Sequence, residues 1–290
     1  MLNLAHVRSF LAVVDTRGVR SAAKTLALSP STVVDHIKQL EQAVAAPLLL
    51  REYGGATTTP HGSRFLPYAR ALVGTATRVK DLIQLPLLRL SCSSNVGIYL
   101  LQPPLADFSR ETGIEVELWV GPNPEVAERL ERGEADVAAM EWWDGRAGFA
   151  VATWLREPLV VIVPPAHPWA ALEAIEADRL FGETLLGGEP GSGTGHVLRD
   201  QLGPVADRLR TRSGYGSTEA VKRAVRAGQG ISIVMRSAVA EEVASGRLAA
   251  LSIRGAPLMK EIKLVVPHRL PPTSPAATFI ADFAQRSTTS

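Results

Sequence analysis

The sequence predicts an α/β protein with an all-α N-terminal part: a winged helix-turn-helix, a long helix, and then an α/β domain. Three observations carry this expectation. Residues 18–41 read as two short helices joined by a tight turn, residues 60–84 as one long amphipathic helix, and from residue 87 onward short apolar strands alternate with helices.

In Gly18 to Glu41, the small residues Ala22 and Ala23 with Leu26 make a slender apolar stripe that another helix can approach closely. Leu28 closes that helix, Ser29 is a good N-cap, and Pro30 takes the first helical position, where a missing N–H costs nothing. In the second helix Val33, Ile37, Leu40 and Val44 recur at helical spacing, so one face is buried. The other face carries Ser31, Thr32, Asp35, Lys38 and Gln39. Such hydroxyls, amides and cations hydrogen-bond base edges and phosphates when a helix lies in a major groove. The pattern also fits an ordinary helical hairpin with a solvated polar face. Arg20 and His36 join Ser29, Ser31, Thr32, Asp35 and Lys38 as candidate DNA contacts.

Leu4, Val7, Leu11 and Val14 place a further helix beneath these two, completing a three-helix core. After Val44, the run AAPLLLREYGGATTTPHG combines a proline break, two glycines and β-branched threonines, the composition of a small hairpin or wing. Arg51 at its base and the backbone of Gly54 and Gly55 are candidates for phosphate. Thr59 and Pro60 open the long helix, in which Phe65, Ala69, Leu72, Ala76, Val79 and Ile83 follow a coiled-coil rhythm. With Arg64, Arg70, Arg78 and Lys80 on its other faces, it reads as a dimerisation helix, as two DNA half-sites require; packing on its own chain is the competing reading. Pro67 is expected to kink its first turns.

Charge agrees with this division. The chain of 290 residues has a net charge of +2, but residues 1–86 hold ten Lys and Arg against five Asp and Glu, and the remainder 21 against 24. The basic end suits a polyanion. A hydrophobic content of 46% with 21% charged residues describes globular domains and excludes disorder. Neither a signal pattern nor an apolar run approaching the about 20 residues of a membrane span is found, so a cytoplasmic location without membrane contact is expected. Cys92 is the single cysteine, which excludes an internal disulfide, and the six histidines show no ligand spacing. No metal and no cofactor are expected.

Strands are expected at Leu88 to Cys92, Ile114 to Val120, Ala135 to Met140, Leu159 to Val163, Thr184 to Leu186, Ile231 to Met235 and Glu261 to Val266, with parallel βαβ connections. The intervening helices are expected at Gly97 to Arg110, Pro124 to Arg132, Gly195 to Leu202, Ser217 to Ala227 and Ala238 to Ser245.

Collinear stretches resemble the LysR-type transcriptional regulators over nearly the whole chain. They are VRSAAKTLALSPSTVVDHIKQLE, the wing's PLLLRE and TTTPHG, SSNVGIYLLQPPLADF, EPLVVIVPPAHPWA, GGEPGSGTG and GSTEAVKRAVRAGQGISIV. The resemblance implies a DNA-binding domain over 1–59, a linker and dimerisation helix over 60–86, and an effector domain over 87–290 like a periplasmic binding protein. Its two α/β subdomains would span 87–160 with 267–290, and 161–266. Crossing strands would lie near Arg156 to Val163 and near Val265 to His268, with the ligand between the subdomains. The implied partners are double-stranded DNA carrying an interrupted inverted repeat, a small anionic or polar effector, further copies in a homodimer or homotetramer, and RNA polymerase. The EPGSGT stretch is most similar to the branch that senses small anionic metabolites.

Placement of the cleft also follows from helix ends at the carboxyl edge of a sheet. Ser93, Ser94 and Asn95 after the first strand, Ser192 and Thr194 in the glycine-rich loop, and Ser217 and Thr218 before a later helix all offer donors at helix N-termini, with Asn123 as a further candidate. Each hydroxyl could equally be a plain N-cap. Three departures from the family stand out. Val34 occupies a position where serine is common, and Asp35 brings negative charge to the exposed face. Gly188 and Gly195 stand where the anion-sensing branch often has arginines.

Catalytic motifs fit poorly, and no enzyme activity is expected. Thr194, not lysine, follows the Gly188 to Gly193 spacing, so it is no P-loop, and Gly193 holds the place of a nucleophile-elbow serine. Glu141 and Asp144 flank Trp142 and Trp143 without a third group to complete an acid/base site. One of these tryptophans is expected in the core, the other as a flat wall of the cleft. A solute-binding or catalytic protein with a binding-protein-like fold is the alternative function.

Overall fold

The computed structural model describes residues 2–52, 55–82, 86–188, 192–255 and 258–287. Three helices open the chain: α1 (Leu4–Thr16), α2 (Val19–Leu26) and α3 (Pro30–Val44). Val7, Phe10 and Val13 of α1 bury against Ala22 and Ala23 of α2 and Val33, Ile37 and Leu40 of α3. Ser29 caps α3 by accepting the Thr32 N–H at 3.1 Å. The wing is an antiparallel hairpin of β1 (Leu49–Glu52) and β2 (Gly55–Thr58). It is fastened to α3 by Glu41, whose Oε1 accepts the N–H groups of Leu48 at 2.7 Å and Leu49 at 3.2 Å.

The three helices end on left-handed residues that are not glycine: Arg17, Ala27 and Ala45, with φ of 54°, 52° and 54°. A Cβ costs about 1 kcal/mol in that conformation. Ala27 is exposed, so Ala27→Gly loses no packing and is expected to raise stability by about 1 kcal/mol, read as a higher denaturation midpoint.

Helix α4 (Pro60–Leu82) contains Pro67 and divides its predicted seam between two surfaces. Phe65 meets Phe10 with ring centroids 5.5 Å apart, and Ala69 is fully buried in the winged-helix core. Leu72 and the neighbouring Tyr68 are exposed. Thus one face, with Phe65, Ala69 and Val73, packs on its own chain, where Phe10 offers a surface, and the adjacent face with Tyr68 and Leu72 is left open. The side chains of Val79 and Ile83 lie outside the described residues, as do those of Arg78 and Lys80.

The first lobe of the C-terminal domain begins with β3 (Leu87–Ser93), α5 (Ser94–Tyr99), α6 (Gln102–Thr112), β4 (Glu115–Gly121), α7 (Asn123–Glu131), β5 (Val137–Met140) and β6 (Phe149–Val163). The single helix expected over Gly97 to Arg110 is two helices, with Pro103 and Pro104 in the first turn of the second. The second lobe carries β7 (Ala174–Ile175), β8 (Thr184–Leu186), α8 (Gly193–Leu202), β9 (Arg210–Arg212), α9 (Thr218–Arg226), β10 (Ser232–Met235), α10 (Ala240–Ala244) and β11 (Ala249–Ile253). The chain returns through β12 (Met259–Pro267) and ends on α11 (Pro275–Ser287), which stacks Phe279 and Phe283 against the first lobe.

One sheet runs in the order β4-β3-β5-β12-β6-β11-β7, with β10 also on β6. Pairing is parallel among β3, β4 and β5, as expected, but β6 pairs antiparallel with β10, β11 and β12. Two strands therefore join the lobes. The first half of β6 lies beside β12, and its second half, from Leu159, beside β10 and β11. The return crossing lies earlier than the Val265 to His268 segment expected: Lys263 to Val265 already pair with Met140 to Ala138 of the first lobe. No helix among the described residues is long and apolar enough to cross a membrane.

Candidate functional site

The outward face of α3 is formed as its periodicity predicts. Val33, Ile37 and Leu40 are buried, whereas Ser31, Asp35, Lys38 and Gln39 are exposed, with Arg20 exposed on α2. The hydroxyl of Ser29 is shared with those of Ser31 at 2.7 Å and Thr32 at 2.8 Å, in addition to its capping bond. His36 is partly buried at the edge of this face. Its Nδ1 hydrogen-bonds the buried Ser9 hydroxyl of α1 at 2.8 Å, and its ring lies 4.6 Å from that of His6. One step before buried Ile37, His36 sits on the flank of the helix and ties α3 to α1. Burial and the neighbouring His36 hold His6 below the usual histidine range. The side chain of Arg51, and Gly54 altogether, lie outside the described residues.

The eight residues expected to bind ligand converge on a second place. Ser93, Ser94, Asn95, Asn123, Ser192, Thr194, Ser217 and Thr218 all line one cavity of about 460 Å³ between the lobes. It lies where the chain leaves β3, β4, β5 and β8 and enters α8 and α9, the carboxyl edge of the sheets. The N-cap alternative holds as well: Ser192 caps α8 through the Gly195 N–H at 3.0 Å, and Ser217 caps α9 through the Ala220 N–H at 3.2 Å. Asn123 has a structural task. It donates to the Trp142 carbonyl at 2.9 Å and accepts the Glu141 N–H at 3.0 Å, fixing the turn after β5.

Direct bonds join the lobes across the cleft. Thr218 donates to Asn95 Oδ1 at 2.8 Å, and the Tyr99 hydroxyl donates to Glu219 at 2.7 Å. Burial and the adjacent Glu219 push the Tyr99 hydroxyl well above the usual tyrosine range. Burial would raise Glu219, but hydrogen bonds from Lys222 and Tyr99 hold it below the glutamate range. Lys222 is itself buried, contacting Glu219, Glu242 at 2.9 Å and the Ala238 carbonyl at 2.8 Å.

Sequence reasoning missed the charged centre of this cleft. Glu141, at the end of β5, lines the cavity and pairs with Lys260 of β12, whose Nζ lies 2.5 Å from Oε2. Lys260 is wholly buried and also donates to Thr194 at 3.2 Å. Asn95 and Ser93 add donors to the Glu141 carboxylate at 3.1 Å and 3.4 Å. The only signal in the sequence was that Lys260 falls in step with Ile262, Leu264 and Val266, the apolar row of β12. Asp144 takes no part, being paired with Arg146 at 2.9 Å, so Glu141 and Asp144 form no acid/base couple. Trp143 packs on Phe149 as expected, but Trp142 does not line the cavity; its ring lies 4.6 Å from that of His196 on α8. Cys92 is fully buried, which pushes its thiol up to about 12.

Two family models match consecutive parts of the chain. Residues 4–63 match the family of bacterial regulatory helix-turn-helix proteins of lysR type, and residues 85–287 match the LysR substrate binding domain. PtxE of Stutzerimonas stutzeri, whose name describes an HTH-type transcriptional regulator, is 41% identical over 197 residues, covering 67% of this chain and all of that protein. The regulatory domain of Synechocystis PCC6803 CcmR, solved in complex with 2-PG, superposes with a TM-score of 0.62 at 26% identity over 69% of this chain and 97% of that one. Full-length LysG of Corynebacterium glutamicum, solved with bound effector Arg, superposes with a TM-score of 0.64 at 20% identity over 99% of both chains. This chain belongs to the LysR family of transcriptional regulators, proteins that bind DNA and small-molecule effectors and form oligomers.

Proposed function

We propose that the chain reads DNA with the exposed face of α3 and adjusts that reading to a small anionic metabolite held between the two lobes. The observation that carries the effector reading is the convergence of eight hydroxyl and amide residues on one interlobe cavity entered by the first turns of α8 and α9. Helix N-termini favour anions. The similar CcmR regulatory domain holds 2-PG, which agrees with an effector of this size class. Two half-sites in an inverted repeat suit a dimer built on the open face of α4, where Tyr68 and Leu72 are exposed. Effector binding would shift the population between two arrangements of that assembly, and so the spacing and bend of its DNA contacts.

The DNA face is tested by a salt titration of duplex binding. Lys38→Ala is expected to weaken binding about equally on all sequences and to lower the salt slope by about 1. Thr32→Ala is expected to relax preference at one base position while leaving the slope unchanged. Identical behaviour of the two variants would refute the assigned face. For the effector reading, Ser94→Trp, which fills the cavity from its exposed rim, should remove any response of the DNA footprint to ligand.

A further inference from the structure

We propose that the cleft carries its own occupant: the Glu141 carboxylate sits in the anion seat, and an anionic effector gains its cationic partner, Lys260, by displacing it. This rests on the reading of the cleft as an anion site. It explains how the site binds an anion although neither Gly188 nor Gly195 supplies a charge and, among the described residues, the charged side chains lining the cavity, Glu141 and Glu219, are acidic.

The geometry is that of a filled site. One carboxylate collects Lys260, Asn95 and Ser93 as donors, and lies against the first turn of the ten-residue α8, so that a Cβ built at Gly193 would land on its oxygen. These groups come from three parts of the fold: α5 and the end of β3 in the first lobe, α8 in the second, and the crossing strand β12. Lys260, wholly buried, reaches Thr194 of the second lobe with the same ammonium that holds Glu141 of the first. The pair is therefore a latch between lobes as well as a neutralised seat. A singly charged carboxylate tethered in place is outcompeted best by an oxyanion carrying more charge and more acceptor oxygens, which selects phosphate-like or sulfate-like groups over monocarboxylates. Exchange releases Glu141 from the second lobe's neighbourhood, which couples occupancy to lobe angle.

The test uses the full chain, with inorganic phosphate, sulfate and acetate as probes, followed by calorimetry. Glu141→Ala vacates the seat and leaves Lys260, so phosphate is expected to bind about tenfold tighter than to the unaltered protein, and acetate to bind where it did not before. The double variant Glu141→Ala with Lys260→Met should lose both. Should Glu141→Ala fold poorly, its unfolding temperature is expected to rise with acetate or phosphate, and that of the double variant to stay constant. Phosphate binding to Glu141→Ala no tighter than to the unaltered protein, with no rise in unfolding temperature, would overturn the exchange. Ser94→Trp separates the two readings: if it abolishes phosphate binding to the unaltered background while Glu141→Ala gains nothing, the cleft is an anion site without an internal occupant. If Ser94→Trp leaves phosphate binding intact, the cleft reading itself fails, and the exchange with it.

Discussion

Lys260→Met is expected to lower the stability of the C-terminal domain by about 3–5 kcal/mol, far more than the loss of any exposed ion pair in the chain. Lys260 is wholly buried and the Glu141 side chain is 7% exposed. Removing the cation alone strands a carboxylate in a site whose remaining donors, Asn95 and Ser93, carry no charge. Removing both charges together avoids that penalty, so Lys260→Met combined with Glu141→Leu should recover most of the loss. Urea denaturation of the single and double variants checks this, and a single variant as stable as the parent would show the pair to be solvated. The winged helix shares none of these contacts, and its own transition should be unaltered.

Gly62→Ala is the complementary experiment, with an expected cost of about 3 kcal/mol confined to the winged helix. Gly62 lies in the first turn of α4, where a Cβ would land on the backbone carbonyl of Leu48. That carbonyl cannot rotate aside, because it accepts the Thr59 N–H at 3.0 Å. The Thr59 hydroxyl meanwhile donates to the Pro47 carbonyl at 2.7 Å and accepts the Gly62 N–H at 2.9 Å. The start of the wing, the cap of α4 and the close approach of two backbones are thus one knot. Calorimetry should show the N-terminal transition lowered and the C-terminal one in place, with duplex binding lost in proportion. Unchanged duplex affinity would mean that α4 can shift without disturbing α3.

Both experiments fall on contacts that the linear sequence does not display. Periodicity revealed α1, α2 and α3, since helical spacing of apolar residues follows from local geometry alone; Ser29 and Pro30 marked the start of α3 for the same reason. It also placed most strands of the first lobe. The hydroxyls of the cleft were legible because a serine or threonine at a helix N-terminus advertises both a cap and a donor. Half of β6 was not legible: Phe149 to Pro158 shows no alternation of apolar and polar residues, and its pairing with β12 makes it a strand. Nor was α11, whose Phe279 and Phe283 are held by Phe108 and Trp154 from distant parts of the chain.

The seam of α4 shows the boundary between the two kinds of information. Its spacing is a property of the sequence, but whether Phe65 and Leu72 face the same partner depends on where α1 puts Phe10. His36 is similar: the exposed flank of a helix and the flank against Ser9 look alike in sequence.

The residues alone thus gave a helix-turn-helix with a polar outward face, its wing and a hydroxyl-rich cleft, because caps, turns and apolar periods are written over a few neighbouring positions. Only the fold decided what charge the cleft contains. Glu141 and Lys260 are 119 positions apart in the chain, and no local rule pairs them; they meet because β5 and β12 are neighbours in one sheet. Burial at that junction turns two unremarkable charges into a latch.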